Sequence, residues 1–505
     1  MNGSLAFWAM LPEHLLLLGI VKMLGVEIWP IWKKFALPLA IVIVAAAAGV
    51  AVWMYATGFS GVPFPGQFSV TPTTALAKAI VLGLAVPVLL MSRNDFDGGE
   101  FPALIMSSLY GVCLLISADS FLTMFLGLEL MSLPVYALIL LAYRRFESAE
   151  AALKYLVLGG TATAMFLMGV SLLYGVSGST DITMFATALG ATDLMSRAAV
   201  VLILLAFFLK GAVVPFHAWA PDAYEGASVP VTAYMATIVK AGVLFAIVRL
   251  FAAAPVARPM VDLLAIFPLI SIVWGNLAAM RQPSFRRMIA YSSIAHAGYL
   301  FYALLGEGAG RMQAVTFYLL AYGVLNLLAF AALPSVKGEA DVDRDRLENL
   351  KGLYQRNPFA AIVIAVAMLS LAGLPPFPGF VAKFLIFRNV MAAGYTTYAV
   401  IGLVGSYMGI YFYLRVIQFM FMSGPAESAE VMVPHVQSAD AHAPNAHPPL
   451  PQPSIPDAQI AASSEGLGVP PSVTTIDAFA RTAILMCLAA TVVITVFPGW
   501  FIGRL

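Results

Sequence analysis

Glu129, Lys154, Lys210, Lys240 and Lys383 are ionisable residues set inside long apolar runs, with His217 and His296 as companions that can stay neutral. A lysine near the middle of a membrane costs about 2.5–3.5 kcal/mol on insertion scales, so each is a functional candidate by default. The chemistry these types suit is proton movement. Desolvation favours the neutral amine, and a nearby carboxylate favours the ammonium. Moving the carboxylate away, or giving it another partner, releases the lysine's proton. Glu129 is the intramembrane carboxylate available for that role, and a line of such groups bridged by water makes a relay. Plainer readings stand beside this one. Glu129 and Lys240 could form static buried ion pairs, Lys154 could snorkel to the interface, and His296 could be a hydrogen-bonded core histidine.

The stretch Leu205 to Gly226, LAFFLKGAVVPFHAWAPDAYEG, organises the chain around these residues. An apolar helix carries Lys210 towards its inner end. Pro215 then removes a backbone donor, and His217, Asp222 and Glu225 follow in a proline-punctuated segment. Unpaired backbone groups cannot stand in lipid, so a helix broken here must face protein or water. The plainer reading is a proline kink with a snorkelling lysine.

Composition fixes the class. The 505 residues are 61% hydrophobic and 10% charged, where soluble proteins carry about 25% charged residues. This is the composition of an all-α polytopic membrane protein. The net charge of +1 gives no nucleic-acid signature. Cys113 and Cys487 lie in apolar runs and suggest neither a metal site nor a disulfide. The first residues lack the basic region of a cleavable signal, so the first span is expected to stay. No GxGxxG, P-loop or CxxC pattern occurs, so no nucleotide, flavin, iron–sulfur cluster or metal is expected in the chain.

A span needs about 20 apolar residues, and on that basis about fourteen can be drawn. They run over 10–29, 35–57, 73–91, 101–118, 120–142, 151–175, 196–219 (broken), 229–253, 261–280, 287–305, 312–334, 358–391 (broken), 397–422 and 478–502. Lys33, Lys34, Arg93, Arg144, Arg145, Arg281, Arg286 and Arg287 fall in odd-numbered loops, as do Lys337, Arg344, Arg346, Lys351 and Arg356. The even loops hold Arg258, Arg311 and little else. Odd loops are therefore expected on the cytoplasmic side, with both termini outside. Residues 424–475, rich in Pro, Ala, Ser and His, read as a flexible cytoplasmic loop. The spacing of His435, His442 and His447 fits no standard metal site.

Two interruptions hint at internal symmetry. The seventh span breaks at Val214-Pro215-Phe216 and the twelfth at Leu374-Pro375-Pro376-Phe377-Pro378-Gly379-Phe380, each with a lysine nearby. They lie five spans apart, an odd number, so the repeats would be inverted. Paired interruptions point to a transport site near the midplane. The expected organisation is 1–100 (spans 1–3), 101–253 (spans 4–8, first repeat), 254–423 (spans 9–13, second repeat), the loop 424–475, and 476–505 (span 14).

Four segments carry a family likeness: FLGLELMSLPVYALILLAYRRFESAEAALKYLVLG, LKGAVVPFHAWAPDAYEGASVPVTAYMATIVKAG, RQPSFRRMIAYSSIAHAGY and LSLAGLPPFPGFVAKFLIF. With them the chain resembles the antiporter-like membrane subunits of respiratory complex I, the proton-pumping NADH:quinone oxidoreductase. Within that family it is most similar to the N type, the counterpart of mitochondrial subunit 2. The resemblance implies fourteen helices with two inverted five-helix repeats. It implies a coupled pair at Glu129 and Lys210, a relay through Lys154, His217 and the central Lys240, and an exit-side residue at Lys383. The M type usually places a glutamate where Lys383 stands. The L type continues into a long lateral helix, whereas this sequence stops at Leu505. Phe377-Pro378 and Val381-Ala382 depart from the usual N pattern around the second break.

The implied partners are the antiporter-like M and L subunits, the small K, J and A subunits, H, the peripheral arm beyond them, and membrane lipids. NADH, FMN, iron–sulfur clusters and quinone are implied in other subunits. The Ala/Pro-rich loop favours a bacterial inner membrane over a mitochondrial one, and the Lys/Arg bias places both termini on the periplasmic side. A subunit of a multi-subunit sodium/proton antiporter, and a structural subunit whose buried charges hold helices together, are the alternative functions.

Overall fold

The computed structural model describes residues 3–142, 146–251, 258–333, 346–422 and 476–499. The expected loop 424–475, with its three histidines, lies outside these residues, as do Arg144, Arg145, Lys337 and Arg344. The described chain is almost wholly helical and is a multi-pass membrane protein. Each of the fourteen apolar stretches contains helix among the described residues. By length and composition ten described helices can cross a membrane, or eleven if the bent pair Thr183–Leu189 and Leu194–Lys210 counts as one.

Polar caps set many of the helix starts. Ser120 accepts from the Thr123 N–H, Asp193 from Ser196 and Asn357 from Ala360, which satisfies donors the first turn leaves unpaired. Thr71 and Thr74 form a reciprocal capping box at the head of Pro72–Met91. A small element outside the sequence reading precedes that helix. Gly61–Phe64 and Phe68–Val70 pair antiparallel as a hairpin, and Phe68 bridges to Ala118.

Burial grades from the centre outwards. Val229–Leu250 is buried along its whole apolar window, and Phe285–Leu305 and Gly308–Ala331 along 94% of theirs. Ala478–Val496 and Glu147–Ser177 are buried along 28% only and turn exposed Leu153, Val157, Leu485 and Val492 outwards. A helix apolar all round belongs in the middle of a membrane bundle, and an outer helix can face lipid with its apolar side. The three innermost helices carry Lys240, His296 and a set of tyrosines.

Both expected breaks are present. The first helix half ends at Lys210, a few residues before the break expected at Val214-Pro215-Phe216, and Trp219–Gly226 resumes after a turn. The exposed backbone groups find partners within the protein: the Val214 N–H donates to Ser271 Oγ at 2.8 Å, and Trp219 Nε1 donates to the Leu209 carbonyl at 2.8 Å. This is the protein-buried setting a broken membrane helix requires. The second break separates Pro358–Ala372 from Pro378–Ala392. Gly373 turns the chain at φ 85°, and a Cβ on Gly379 would lie 1.8 Å from the Ser370 carbonyl oxygen. Both breaks contain a cis X-Pro bond, Val214-Pro215 and Pro375-Pro376. A third irregularity was not legible: Met235–Val239 is one turn of π-helix immediately before Lys240.

Candidate functional site

Lys210 lies at the end of its half-helix, buried, with Nζ donating to Ser132 Oγ at 3.0 Å and standing 3.8 Å from Glu129 Oε1. Glu129 has a second partner: Thr163 Oγ1 donates to its Oε1 at 2.5 Å. The glutamate is thus held between the helices Glu147–Ser177 and Leu194–Lys210. At 3.8 Å the pair is within Coulomb range but is not a tight hydrogen bond.

Lys154 sits elsewhere. Its side chain is 42% exposed and pairs with Glu150 at 2.6 Å and Asp222 at 2.7 Å. Asp222 also accepts from Arg287 Nη1 at 3.0 Å, which in turn donates to Glu225 at 2.7 Å. Asp222 joins Lys154 to a helix, Phe285–Tyr302, that lies beyond the first break.

Lys240 lies in the central helices. It is 5% exposed, and Nζ donates to the Ser293 carbonyl at 2.5 Å and to Ser293 Oγ. Its ammonium position is 5.8 Å from the Tyr322 ring centroid. Lys383 is buried too. Nζ donates to the Ala372 carbonyl at 3.0 Å and lies 5.1 Å from the Tyr299 ring. Ala372 ends the helix preceding the break, so Lys383 caps carbonyls left open there and sits at the favourable end of the helix dipole. Among the described residues neither Lys240 nor Lys383 pairs with a carboxylate. The static ion pair considered for Lys240 is therefore not what surrounds it.

His296 lies between these two lysine sites. Tyr318 Oη is 2.7 Å from Nδ1 and Tyr413 Oη is 3.0 Å from Nε2. The rings of Tyr322 and Tyr299 stand 4.7 and 5.6 Å away. A cavity lined by His296, Tyr318, Tyr322, Leu325, Leu371, Gly379 and Ala382 lies between His296 and the start of the helix Pro378–Ala392 that carries Lys383. His217 is not part of this group. Its Nε2 accepts from Trp274 Nε1 at 3.1 Å, and no described hydrogen bond joins it to Lys210 or Lys240.

One charged pair escaped the sequence reading. Glu13 and Lys78 approach to 2.6 Å with both side chains 0% exposed. Each sits in an apolar run, the same signal that singled out Lys240, but their pairing across separate helices is not a local property. The tyrosines around His296 escaped for a related reason. Apart from Tyr299 on His296's own helix, they come from the helix Gly308–Ala331 and from Ile410–Met422, and only packing brings them to one imidazole. Among the described residues no group of His, Cys, Asp or Glu could hold a metal.

The chain's likenesses agree with this architecture. A family model described as "NADH:quinone oxidoreductase/Mrp antiporter, TM" matches residues 118–409. The NADH-quinone oxidoreductase subunit N of Pelobacter propionicus is 38% identical over 423 residues, 84% of this chain and 90% of the relative. That of Chloroflexus aggregans is 38% identical over 409 residues, 78% and 83% of the two chains. Among solved structures, a chain of respiratory complex I from Thermus thermophilus matches with a TM-score of 0.77 at 31% identity, covering 97% of this chain and 98% of that one. A chain of the Mrp complex from Dietzia sp. matches with a TM-score of 0.81 at 21% identity, covering 98% and 96%, a likeness of fold alone. By its sequence, and by the helices that position its buried lysines, the chain belongs to the antiporter-like NADH:quinone oxidoreductase/Mrp family of membrane subunits, in the branch of complex I subunit N.

Proposed function

We propose that this chain is a proton-translocating subunit in the membrane arm of a complex I. The observation that carries the reading is the row of buried lysines at helix irregularities. Lys210 ends a half-helix, Lys240 follows a π turn and Lys383 follows a second break. Lys240 and Lys383 are held by carbonyls and a hydroxyl instead of a fixed counter-charge. Such a lysine can hold or release a proton without tearing apart an ion pair. Lys154 and Asp222 stand at the polar mouth, Glu129 and Lys210 form the first intramembrane step, and Lys240, His296 and Lys383 continue it. His217 belongs to the reading through family resemblance only.

A membrane voltage opposes each translocated charge by about 2.3 kcal/mol per 100 mV. The chain therefore needs a driving reaction outside itself. In this reading NADH oxidation, FMN, iron–sulfur clusters and quinone belong to other subunits, and the chain contributes to the enzyme as translocase. Its neighbours are M-, L-, K-, J-, A- and H-type subunits in a bacterial inner membrane, with both termini periplasmic. Residues 101–253 and 254–423 act as the two inverted repeats.

The test is purification of the tagged chain from its native membrane. The expected result is a large assembly with inhibitor-sensitive NADH:quinone oxidoreductase activity. A smaller assembly without that activity, exchanging sodium for protons in vesicles, would replace this reading with the antiporter one.

A further inference from the structure

His296 has both ring nitrogens engaged, by Tyr318 on one side and Tyr413 on the other, and Tyr413 Oη is in turn 2.5 Å from Ser292 Oγ. All four side chains are buried, coming from three helices. A neutral imidazole has one N–H donor and one bare acceptor nitrogen. The two tyrosines therefore cannot play the same part at one time: one donates to the ring and the other accepts from it. The row Ser292–Tyr413–His296–Tyr318 has a polarity, and the ring's tautomer sets it.

Each end of the row neighbours a lysine site, without a direct hydrogen bond to the lysine among the described residues. Ser292 precedes Ser293, whose carbonyl and hydroxyl hold Lys240. Tyr318 lines the cavity whose far wall is Gly379 and Ala382, beside Lys383. Lys240 and Lys383 share no direct contact among the described residues, so a proton passing between them needs an intermediate path.

We propose that Tyr318 and Tyr413 are the proton-handling partners of His296, forming with Ser292 a hydrogen-bonded wire between the Lys240 and Lys383 sites. This rests on the proton-translocation reading above. In one passage the Lys240 ammonium yields a proton to Ser292 Oγ by way of Ser293 Oγ, and Ser292 gives its own to Tyr413 Oη, whose hydroxyl proton goes to His296 Nε2. The Nδ1 proton leaves to Tyr318 Oη, and the Tyr318 hydroxyl proton passes, through a water in the cavity, to the neutral amine of Lys383. Every oxygen gains one proton and loses one. The imidazole ends neutral in its other tautomer, and resetting requires the ring and hydroxyls to reorient. The reverse passage has the same balance.

Removing a hydroxyl while keeping the ring separates the wire from packing. Tyr318→Phe and Tyr413→Phe are introduced into the assembled complex, with Tyr302→Phe as a buried tyrosine off the wire, and Lys240→Ala. NADH-driven proton uptake is measured in inverted membrane vesicles and normalised to assembled complex. Each wire variant should lower uptake by about tenfold or more, since a positioned proton carrier is worth about 10²-fold or more in rate, and Tyr302→Phe should not. Tyr318→Phe/Tyr413→Phe together should be no worse than either alone, because blocking a series path twice changes nothing further. Independent packing defects would instead compound. If one Phe variant fails to assemble, Ser292→Ala interrupts the same path and carries the same expectation.

Normal uptake in the Phe variants with uptake lost in Lys240→Ala would overturn the wire and leave the function standing. Compounding losses in the double variant would also overturn it. Normal uptake in Lys240→Ala would overturn the function and the wire together.

Discussion

The sharpest choice at residue scale is made by Glu129. It faces Lys210 at 3.8 Å while accepting a hydrogen bond from Thr163. A carboxylate with two partners can weaken its hold on one by tightening on the other, which is how a lysine is made to release a proton. Glu129→Gln keeps the Thr163 contact but removes the charge, and proton uptake in vesicles should fall by about tenfold or more. Thr163→Val is close in shape and removes the competing donor. It should leave assembly intact and slow uptake, because Glu129 then has only Lys210 to serve. The Glu129–Lys210 pair was legible through family resemblance, and the type and depth of each residue marked it. Thr163 was not, because a threonine in an apolar helix carries no signal until the glutamate is seen beside it. Lys240 makes the same point. Its depth was readable from TAYMATIVKAG, but its partner Ser293 lies on a different helix, so the absence of a counter-charge could only be seen after folding.

The broken and bulged helices bring backbone polarity to the lysines. Lys383 reaches the carbonyl of Ala372 only because Gly373 and the following prolines end the preceding half-helix there. Gly379 lets the second half start tight against the first. Gly379→Ala would place a methyl 1.8 Å from the Ser370 oxygen, and such a clash with backbone has no rotamer that relieves it. The expected outcome is loss of assembled complex on native gels. The prolines made both breaks legible. The π turn before Lys240 was not, since MATIV has no proline or glycine to mark it.

The Glu13–Lys78 pair yields a prediction at the same scale. Removing one partner from a fully buried ion pair costs about 3–5 kcal/mol, whereas replacing both with apolar residues is often neutral. Lys78→Met alone should therefore lower the thermal stability of the purified complex. Glu13→Leu/Lys78→Met should restore it. A double variant as unstable as the single would contradict a simple ion-pair clamp between Leu11–Ile28 and Pro72–Met91.

At the scale of the whole molecule, the proposed function needs the polar groups to form a path through an apolar body. It begins at the half-exposed Lys154 and Asp222, passes Glu129 and Lys210, and reaches Lys240, His296 and Lys383 in the most buried helices. Arg287 ties the mouth to the helix that also carries Ser293 and His296. Class and approximate helix positions were legible because hydrophobicity alone specifies them. Tyr318 and Tyr413 at the His296 ring were not, since they lie far from it in the chain; the hairpin at Gly61–Val70 is local, but its strands of 4 and 3 residues are too short to show an alternating pattern.

The central claim is that Lys240 carries translocated protons. The direct measurement is NADH-driven proton uptake in vesicles containing an assembled Lys240→Ala complex. The account predicts a complex of normal subunit composition whose coupled proton uptake is lost. Full uptake at the wild-type ratio to NADH oxidised would contradict it, and would make this lysine a structural element of the bundle.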